Sequence, residues 1–255
     1  MTTFDLTGHK ALVTGAAGGI GLAIARRLAA LGALVVAADL DGDRLTRAVA
    51  DGAPMAPRAL AGDISTESGA DRLVDCAVDE FGWLDILVNN AGVSEPLAST
   101  VDQDLGDWQR VIDVNLRGTY LMSRAFGRHV LGRAGRGAIV NISSIAGIEG
   151  YPASNAYGVS KAGIAYMTQS MATEWARRGV RVNCVAPGYI DAPMAHALFN
   201  EGVKREQLEK RVPMRRLGEA GEVAEAVAFL ASDAASYITG VVLPVDGGWC
   251  SYGGV

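Results

Sequence analysis

Short apolar runs of Val, Ile, Leu and Ala alternate along the chain with longer segments of helical periodicity, and this alternation leaves few folds open. The runs cover 10–13, 33–38, 86–88, 138–142, 181–185 and 241–245, with a weaker one at 58–61. Each is continuous rather than alternating with polar residues, which suits a strand buried on both faces. Between them, 20–31 places Ile20, Ile24, Leu28 and Leu31 on one helical face, and 73–81 does so with Leu73, Ala77 and Phe81. The segments 108–130 (Val111, Val114, Met122 and Phe126), 156–177 and 222–230 read the same way. Gly32 and Gly179 stand where helices must stop before the next strand. Repeated strand–helix units with right-handed crossovers predict an α/β fold: a doubly wound parallel sheet of the Rossmann type, with helices on both faces.

With 255 residues, 49% of them hydrophobic, the chain has material for one domain of this kind, spanning 1–255. The rhythm breaks at 191–216, a polar stretch with Pro193 and Pro213, which is expected to form a flexible helical insertion over the site. A net charge of −5 argues against nucleic acid as a partner, and Arg177-Arg178 and Arg215-Arg216 read as solvated helix ends. The three cysteines, Cys76, Cys184 and Cys250, have neither metal-ligand nor redox spacing. No leader pattern and no apolar run of about 18 residues is present. The expectation is a cytoplasmic protein with no membrane partner and no catalytic metal.

After the first strand comes Thr14-Gly15-Ala16-Ala17-Gly18-Gly19-Ile20-Gly21, then a helix. Glycines let the backbone approach a pyrophosphate, and the helix N-terminus offers free N–H groups with partial positive charge. A glycine string alone is weak, but strand before and helix after is the context a dinucleotide site needs. Asp39 ends the second strand, 18 residues after Gly21, where an acid would hold a ribose diol. Its charge opposes a 2′-phosphate, and Ala16, Ala17 and Leu40 offer no compensating cation, so NAD is expected over NADP. The alternative for Asp39 is a loop acid, since Asp41 and Asp43 follow.

Tyr157 and Lys161 are four apart on the helix 156–177, hence on one face. A nearby ammonium lowers a phenol's pKa, which would fit Tyr157 to exchange a proton with an alcohol or carbonyl oxygen. This pair in isolation is common.

In company it is not. Gly15 to Gly21, Asn89-Asn90-Ala91-Gly92, Asn115, Ser144, Tyr157, Lys161 and Pro187-Gly188, in this order, closely resemble the short-chain dehydrogenase/reductase family from about Leu6 to Gly248. The resemblance implies that Ser144 hydrogen-bonds the reacting oxygen. Ser143 is the competing neighbour, and the 13-residue interval to Tyr157 favours Ser144. It implies that Asn115 holds a water in a proton relay with Lys161, and that Lys161 also binds the nicotinamide ribose. Cofactor contacts are implied for Gly15, Gly19, Ile20, Gly21, Asp39, Asp63, Ile64, Asn90, Ala91, Gly92, Tyr157, Lys161, Pro187, Gly188 and Ile190. Ala192 departs from the family's frequent Thr, whose hydroxyl helps hold the cofactor. A homotetramer assembled through helices 108–130 and 156–177 is also implied.

For substrate, Ser94 and Glu95 after the Asn-rich turn, Glu149, Tyr151 and Asn155 after Ser144, and Met194 and His196 in the insertion are candidate pocket residues. Their polarity points to a small polyol or sugar, or its keto form, because buried hydroxyls require partners. Glu95 and Glu149 facing water is the competing account. The alternatives are 3-oxoacyl-thioester or other ketone reduction, which usually goes with NADPH, and an NAD-sensing regulatory protein. A sensor would have no need of Tyr157 and Lys161. The tail from Trp249, with two aromatics, is expected either to cross a subunit boundary or to pack loosely on the surface.

Overall fold

The computed structural model describes residues 4–50, 56–133, 135–200 and 202–253. Among the described residues seven strands, β1 (Lys10–Thr14), β2 (Leu34–Asp39), β3 (Arg58–Ala61), β4 (Ile86–Asn89), β5 (Gly137–Ile142), β6 (Val180–Pro187) and β7 (Val242–Val245), form one sheet in the order β3-β2-β1-β4-β5-β6-β7. Every pairing is parallel. The order reverses between β1 and β4, and such a switch opens a crevice at the carboxyl ends of the strands.

Helices cover both faces. On one, α1 (Gly19–Ala30) and α9 (Ala220–Ala231) bury Ile24, Leu28 and Val227 against β1, β2 and β4. On the other, α3 (Glu67–Phe81), α5 (Gly118–Gly132) and α6 (Asn155–Trp175) bury Leu73, Met122, Phe126 and Trp175. Gly32 and Gly179 have φ of 97° and 78°, a left-handed turn that a side chain would strain.

The differences from the sequence expectations have local causes. A short helix, α2 (Gly42–Val49), follows β2; the Asp41 carboxylate caps it by accepting from Arg44 N (2.9 Å). It buries only Leu45, so it shows no apolar stripe. The segment 108–130 is not one regular helix. It divides into α4 (Leu105–Val111), a π-helical turn (Ile112–Arg117) and α5. The insertion contains α7 (Pro193–Asn200) and α8 (Arg205–Arg211). Its ends meet at a bridge between Ile190 and Gly218, reinforced by Asp191 N donating to Gly218 O and Gly218 N to Tyr189 O. Among the described residues no helix is long and apolar enough to cross a membrane.

A buried polar chain fixes α5 and α6 to the sheet. Asn89 Nδ2 donates to Ser123 Oγ and to Asn141 Oδ1, and Asn141 Nδ2 donates to Thr168 Oγ1, each at 2.9 Å. All four residues are at most 3% exposed. Replacing Asn141 by Ala orphans groups on β4 and α6 at once and is expected to cost about 2–3 kcal/mol; denaturant unfolding of Asn141→Ala measures it, and a loss below about 0.5 kcal/mol contradicts this role.

Candidate active site

The turn after β1 is shaped by what lies behind it. Gly15 has φ of 66°, and a Cβ there would sit 2.6 Å from the Ala91 Cα. A Cβ on Gly21 would overlap the Gly15 carbonyl and the Asn90 amide. Asn90 Nδ2 donates to the carbonyls of Thr14 and Gly15, both at 3.0 Å, and the Thr14 hydroxyl accepts from the N–H groups of Asn90 and Ala91, both at 3.1 Å. The end of β4 thus staples the turn in place. No side chain caps the N-terminus of α1, and its first turn carries no acid, so its free N–H groups suit an anion.

Asp39 reaches the same turn: its Oδ2 accepts from Ala17 N at 2.9 Å and its Oδ1 from Asp41 N at 3.2 Å. Sequence reading missed a cation here. The guanidinium of Arg44, on α2, comes within 2.7 Å of where a Gly18 Cβ would stand. The signal was the capping pattern Asp41-Gly42-Asp43-Arg44, which marks a helix start and so points Arg44 back over the turn. Asp63 Oδ1 accepts from the Ser65 N–H and hydroxyl, and Ile64 is buried against Gly118.

A cavity of about 340 Å³ opens beside this turn, lined by Ile20, Asn90, Gly92, Pro187, Gly188 and Ile190 and by Ser144, Tyr157 and Lys161; Gly15, Gly19, Gly21, Asp39, Asp63, Ile64 and Ala91 are not among its lining residues. Ser143 and Ser144 have different surroundings. The Ser143 hydroxyl donates to the Lys161 carbonyl at 2.7 Å, whereas the Ser144 hydroxyl accepts from Ala146 N at 3.1 Å and stands beside the Tyr157 phenol. Lys161 Nζ is buried, lies 5.5 Å from the Tyr157 ring centroid and donates to Ile142 O at 2.9 Å. Asn115 sits in the π turn with no exposure. It accepts from Val93 N (2.8 Å) and donates to Val93 O and Ser160 Oγ. Its carboxamide also faces Gly92 beside Lys161 Nζ.

Burial dominates the electrostatics. It lowers the Lys161 ammonium to about 8. It raises the Tyr157 phenol above its ordinary value; the Ser144 hydrogen bond opposes that rise and the Glu95 charge adds to it. The sequence expectation was a phenol made acidic by Lys161; in this structure desolvation prevails.

The candidate substrate residues divide. Ser94, Glu95, Tyr151 and Met194 line the cavity. Glu149 and Asn155 are not among its lining residues: Glu149 Oε2 accepts from Trp249 Nε1 at 3.2 Å, and Asn155 Oδ1 from Trp108 Nε1 at 3.1 Å. His196 is paired with Asp191 at 2.6 Å. Much of the wall is apolar, through Leu97, Ile145, Pro152, Leu198 and Val203, which sequence reading did not anticipate. Ala192 also lines the cavity and, with Pro193, faces Gly19. Trp249 is 2% exposed and packs on Tyr189 (ring centroids 4.9 Å apart) and Tyr151 of its own chain, with Arg211 over its ring. Gly254 and Val255 lie outside the described residues.

Residues 15–250 match the family described as enoyl-(acyl carrier protein) reductase. The chain is 46% identical to a cis-4-hydroxycyclohexanecarboxylate dehydrogenase from Sinomonas cyclohexanicum, over 94% of this chain and 95% of that protein. It is 41% identical to a D-threitol dehydrogenase from Mycolicibacterium smegmatis, over 96% and 94%. The crystal structure of a proposed 2-deoxy-D-gluconate 3-dehydrogenase from Agrobacterium tumefaciens with bound NADP superposes with a TM-score of 0.88 at 36% identity, covering 99% of this chain and 100% of that one.

The depressed Lys161 value has a sign that stability measurements read. Between about pH 8 and 10.5 the folded chain holds fewer protons on Lys161 than the unfolded chain, so unfolding free energy rises with pH across this window, by at most about 1.4 kcal/mol per pH unit. In Lys161→Met that contribution disappears. Urea melts of both proteins at pH 7, 8, 9 and 10 test it, and parallel pH profiles contradict it.

Proposed function

Because the chain belongs to the short-chain dehydrogenase/reductase family and so is an oxidoreductase of secondary alcohols and their ketones, we propose that it oxidises a small polyol or sugar with NAD, Tyr157 exchanging the proton. The observation that carries this reading is Tyr157, beside Ser144 and backed by the buried Lys161, on the wall of a cavity next to the glycine-rich turn.

The turn suits a dinucleotide. Gly15 and Gly21 leave its inner side free of Cβ atoms, the N–H groups of α1 are uncapped, and Asp39 stands at its edge. Gly15, Gly19, Ile20 and Gly21 would hold the pyrophosphate, Asp39 the adenosine ribose, and Asp63 and Ile64 the adenine. Asn90, Ala91, Gly92, Pro187, Gly188 and Ile190 would border the nicotinamide half. Bound there, the cofactor supplies the hydride acceptor and, when oxidised, a positive ring charge that favours phenolate.

Tyr157 takes the hydroxyl proton of an alcohol, or returns one to a carbonyl oxygen. Ser144 donates to the same oxygen and holds it against the phenol. Lys161 brings a positive charge near the phenolate that forms, and Asn115 orders the backbone next to it. Ala192, which faces Gly19, offers no hydroxyl, so the N–H groups of the turn carry that part of cofactor binding.

The polyol class is supported by Ser94, Glu95 and Tyr151 on the wall and by the threitol-oxidising relative. NAD is supported by the Asp39 carboxylate, which a 2′-phosphate would approach. The Arg44 guanidinium beside Gly18 and the NADP in the related structure favour a second reading, in which NADP is also accepted. Three free cysteines accord with a reducing cytoplasm. Tyr120, Val159 and Tyr166, exposed on α5 and α6, offer apolar surface for a homotetramer, which sedimentation velocity tests.

Two measurements check the chemistry. NADH formation at 340 nm across a panel of alcohols is expected for the wild type, with kcat lower by about 10²–10⁴-fold in Tyr157→Phe; equal, substrate-dependent rates overturn the assignment of Tyr157. The wild-type kcat/KM ratio of NAD to NADP is expected to exceed about tenfold, which one charge contact near 1.4 kcal/mol supplies, and to shrink in Asp39→Ala; a ratio of one or less rejects the NAD preference.

A further inference from the structure

Glu95 is 5% exposed, and its two carboxylate oxygens have different surroundings. Oε1 is occupied: it accepts from the Tyr157 main-chain N–H at 3.1 Å and from Gln103 Nε2 at 3.2 Å. Oε2 is buried and has no hydrogen-bond partner among the described residues, although the residue lines the cavity. A buried carboxylate oxygen left unpaired is unfavourable, and natural structures satisfy such groups with protein, water or a ligand. The bonds on Oε1 fix the orientation of the carboxylate. They leave Oε2 without a protein partner, on a side chain that lines the cavity.

The surroundings limit what that donor is. Among the described residues Lys161 is the single cationic one lining this cavity, and its ammonium donates to the Ile142 carbonyl. The rest of the wall is apolar or carries neutral hydroxyls, amides and backbone. A carboxylate or phosphate on the substrate would therefore meet Glu95 with like charge and no compensating cation there. A neutral hydroxyl would donate to it. Glu95 lies at the main-chain end of Tyr157 and the reacting proton at the phenol end. One tyrosine side chain separates them, which suits a second hydroxyl a few bonds from the reacting carbon.

Resting on the dehydrogenase reading above, we infer that Glu95 Oε2 is the acceptor for a second, non-reacting hydroxyl of the substrate, so that the enzyme selects neutral diols over monoalcohols and over hydroxy acids. The same carboxylate holds the N-terminus of α6 where Tyr157 starts, so substrate recognition and placement of the proton donor share one group.

The test compares pairs that differ by one group: cis-1,2-cyclohexanediol with cyclohexanol, and 2,3-butanediol with 2-butanol and with 3-hydroxybutyrate. In the wild type, kcat/KM is expected to favour each diol by at least about tenfold. Glu95→Gln retains an oxygen for the Tyr157 N–H but presents a donor in place of Oε2. It is expected to bring the diol-to-monoalcohol ratio within about threefold and to raise the relative rate with 3-hydroxybutyrate. A wild type without diol preference, or a ratio unmoved by Glu95→Gln, overturns the inference. Thermal shift with each diol in the presence of NADH reads binding independently of turnover. If the wild type oxidises no alcohol, yet a diol stabilises it and not Glu95→Gln, the acceptor role stands and the dehydrogenase reading falls. Equal stabilisation of both proteins removes the acceptor role.

Discussion

The Asn141 carboxamide is the constraint on which the centre of this molecule depends. It lies between β4 and α6, accepting from Asn89 on one side and donating to Thr168 on the other. An apolar residue there would pack against its neighbours but would not set the rotation of α6 about its axis. Directional bonds from a fully buried amide do set it. The Ser143 hydroxyl adds a second bond, to the Lys161 carbonyl. Between them they help set where Tyr157 and Lys161 point, with the amine beside the carboxyl ends of β4 and β5. The chemistry at the cavity depends on a register fixed inside the core.

The electrostatic character of the site follows from its dryness more than from its charges. Lys161 is lowered to about 8 by desolvation, and the phenol beside it rises for the same reason. Both groups are thereby brought towards neutrality in the free protein, where their burial would otherwise be most costly. A positive charge arriving next to them shifts the phenol towards release of its proton.

Much of the sheet was readable because strands buried on both faces must be continuously apolar, and 86–88 and 138–142 are. The Tyr157–Lys161 face was readable because a four-residue step on a helix has one geometry. What stayed hidden was whatever does not repeat. α2 buries one residue and so leaves no stripe. The π turn at Ile112–Arg117 needs a register shift that side-chain periodicity does not encode. Glu149 and Asn155 looked like cavity residues from their polarity, but each is bonded to a tryptophan that sequence spacing does not bring near. The apolar wall from Leu97, Ile145 and Leu198 gathers three distant segments, and only the fold joins them.

The insertion bearing α7 and α8 enters and leaves the body through one narrow neck, where Ile190 bridges Gly218 and the two chains exchange backbone hydrogen bonds. The arm also rests on the body, with Arg211 over the Trp249 ring and Met214 N donating to Gly247 O. Away from those contacts, lengthening the arm adds only to the entropy of a loop whose ends are already joined, a slowly growing function of its length. Met194 and Leu198 line the cavity from this arm, whereas Tyr157 and Lys161 line it from α6. Evolution can therefore trade one roof for another without re-engineering the hearth beneath it, which gives a lineage of this architecture an inexpensive way to change its diet while keeping its reaction.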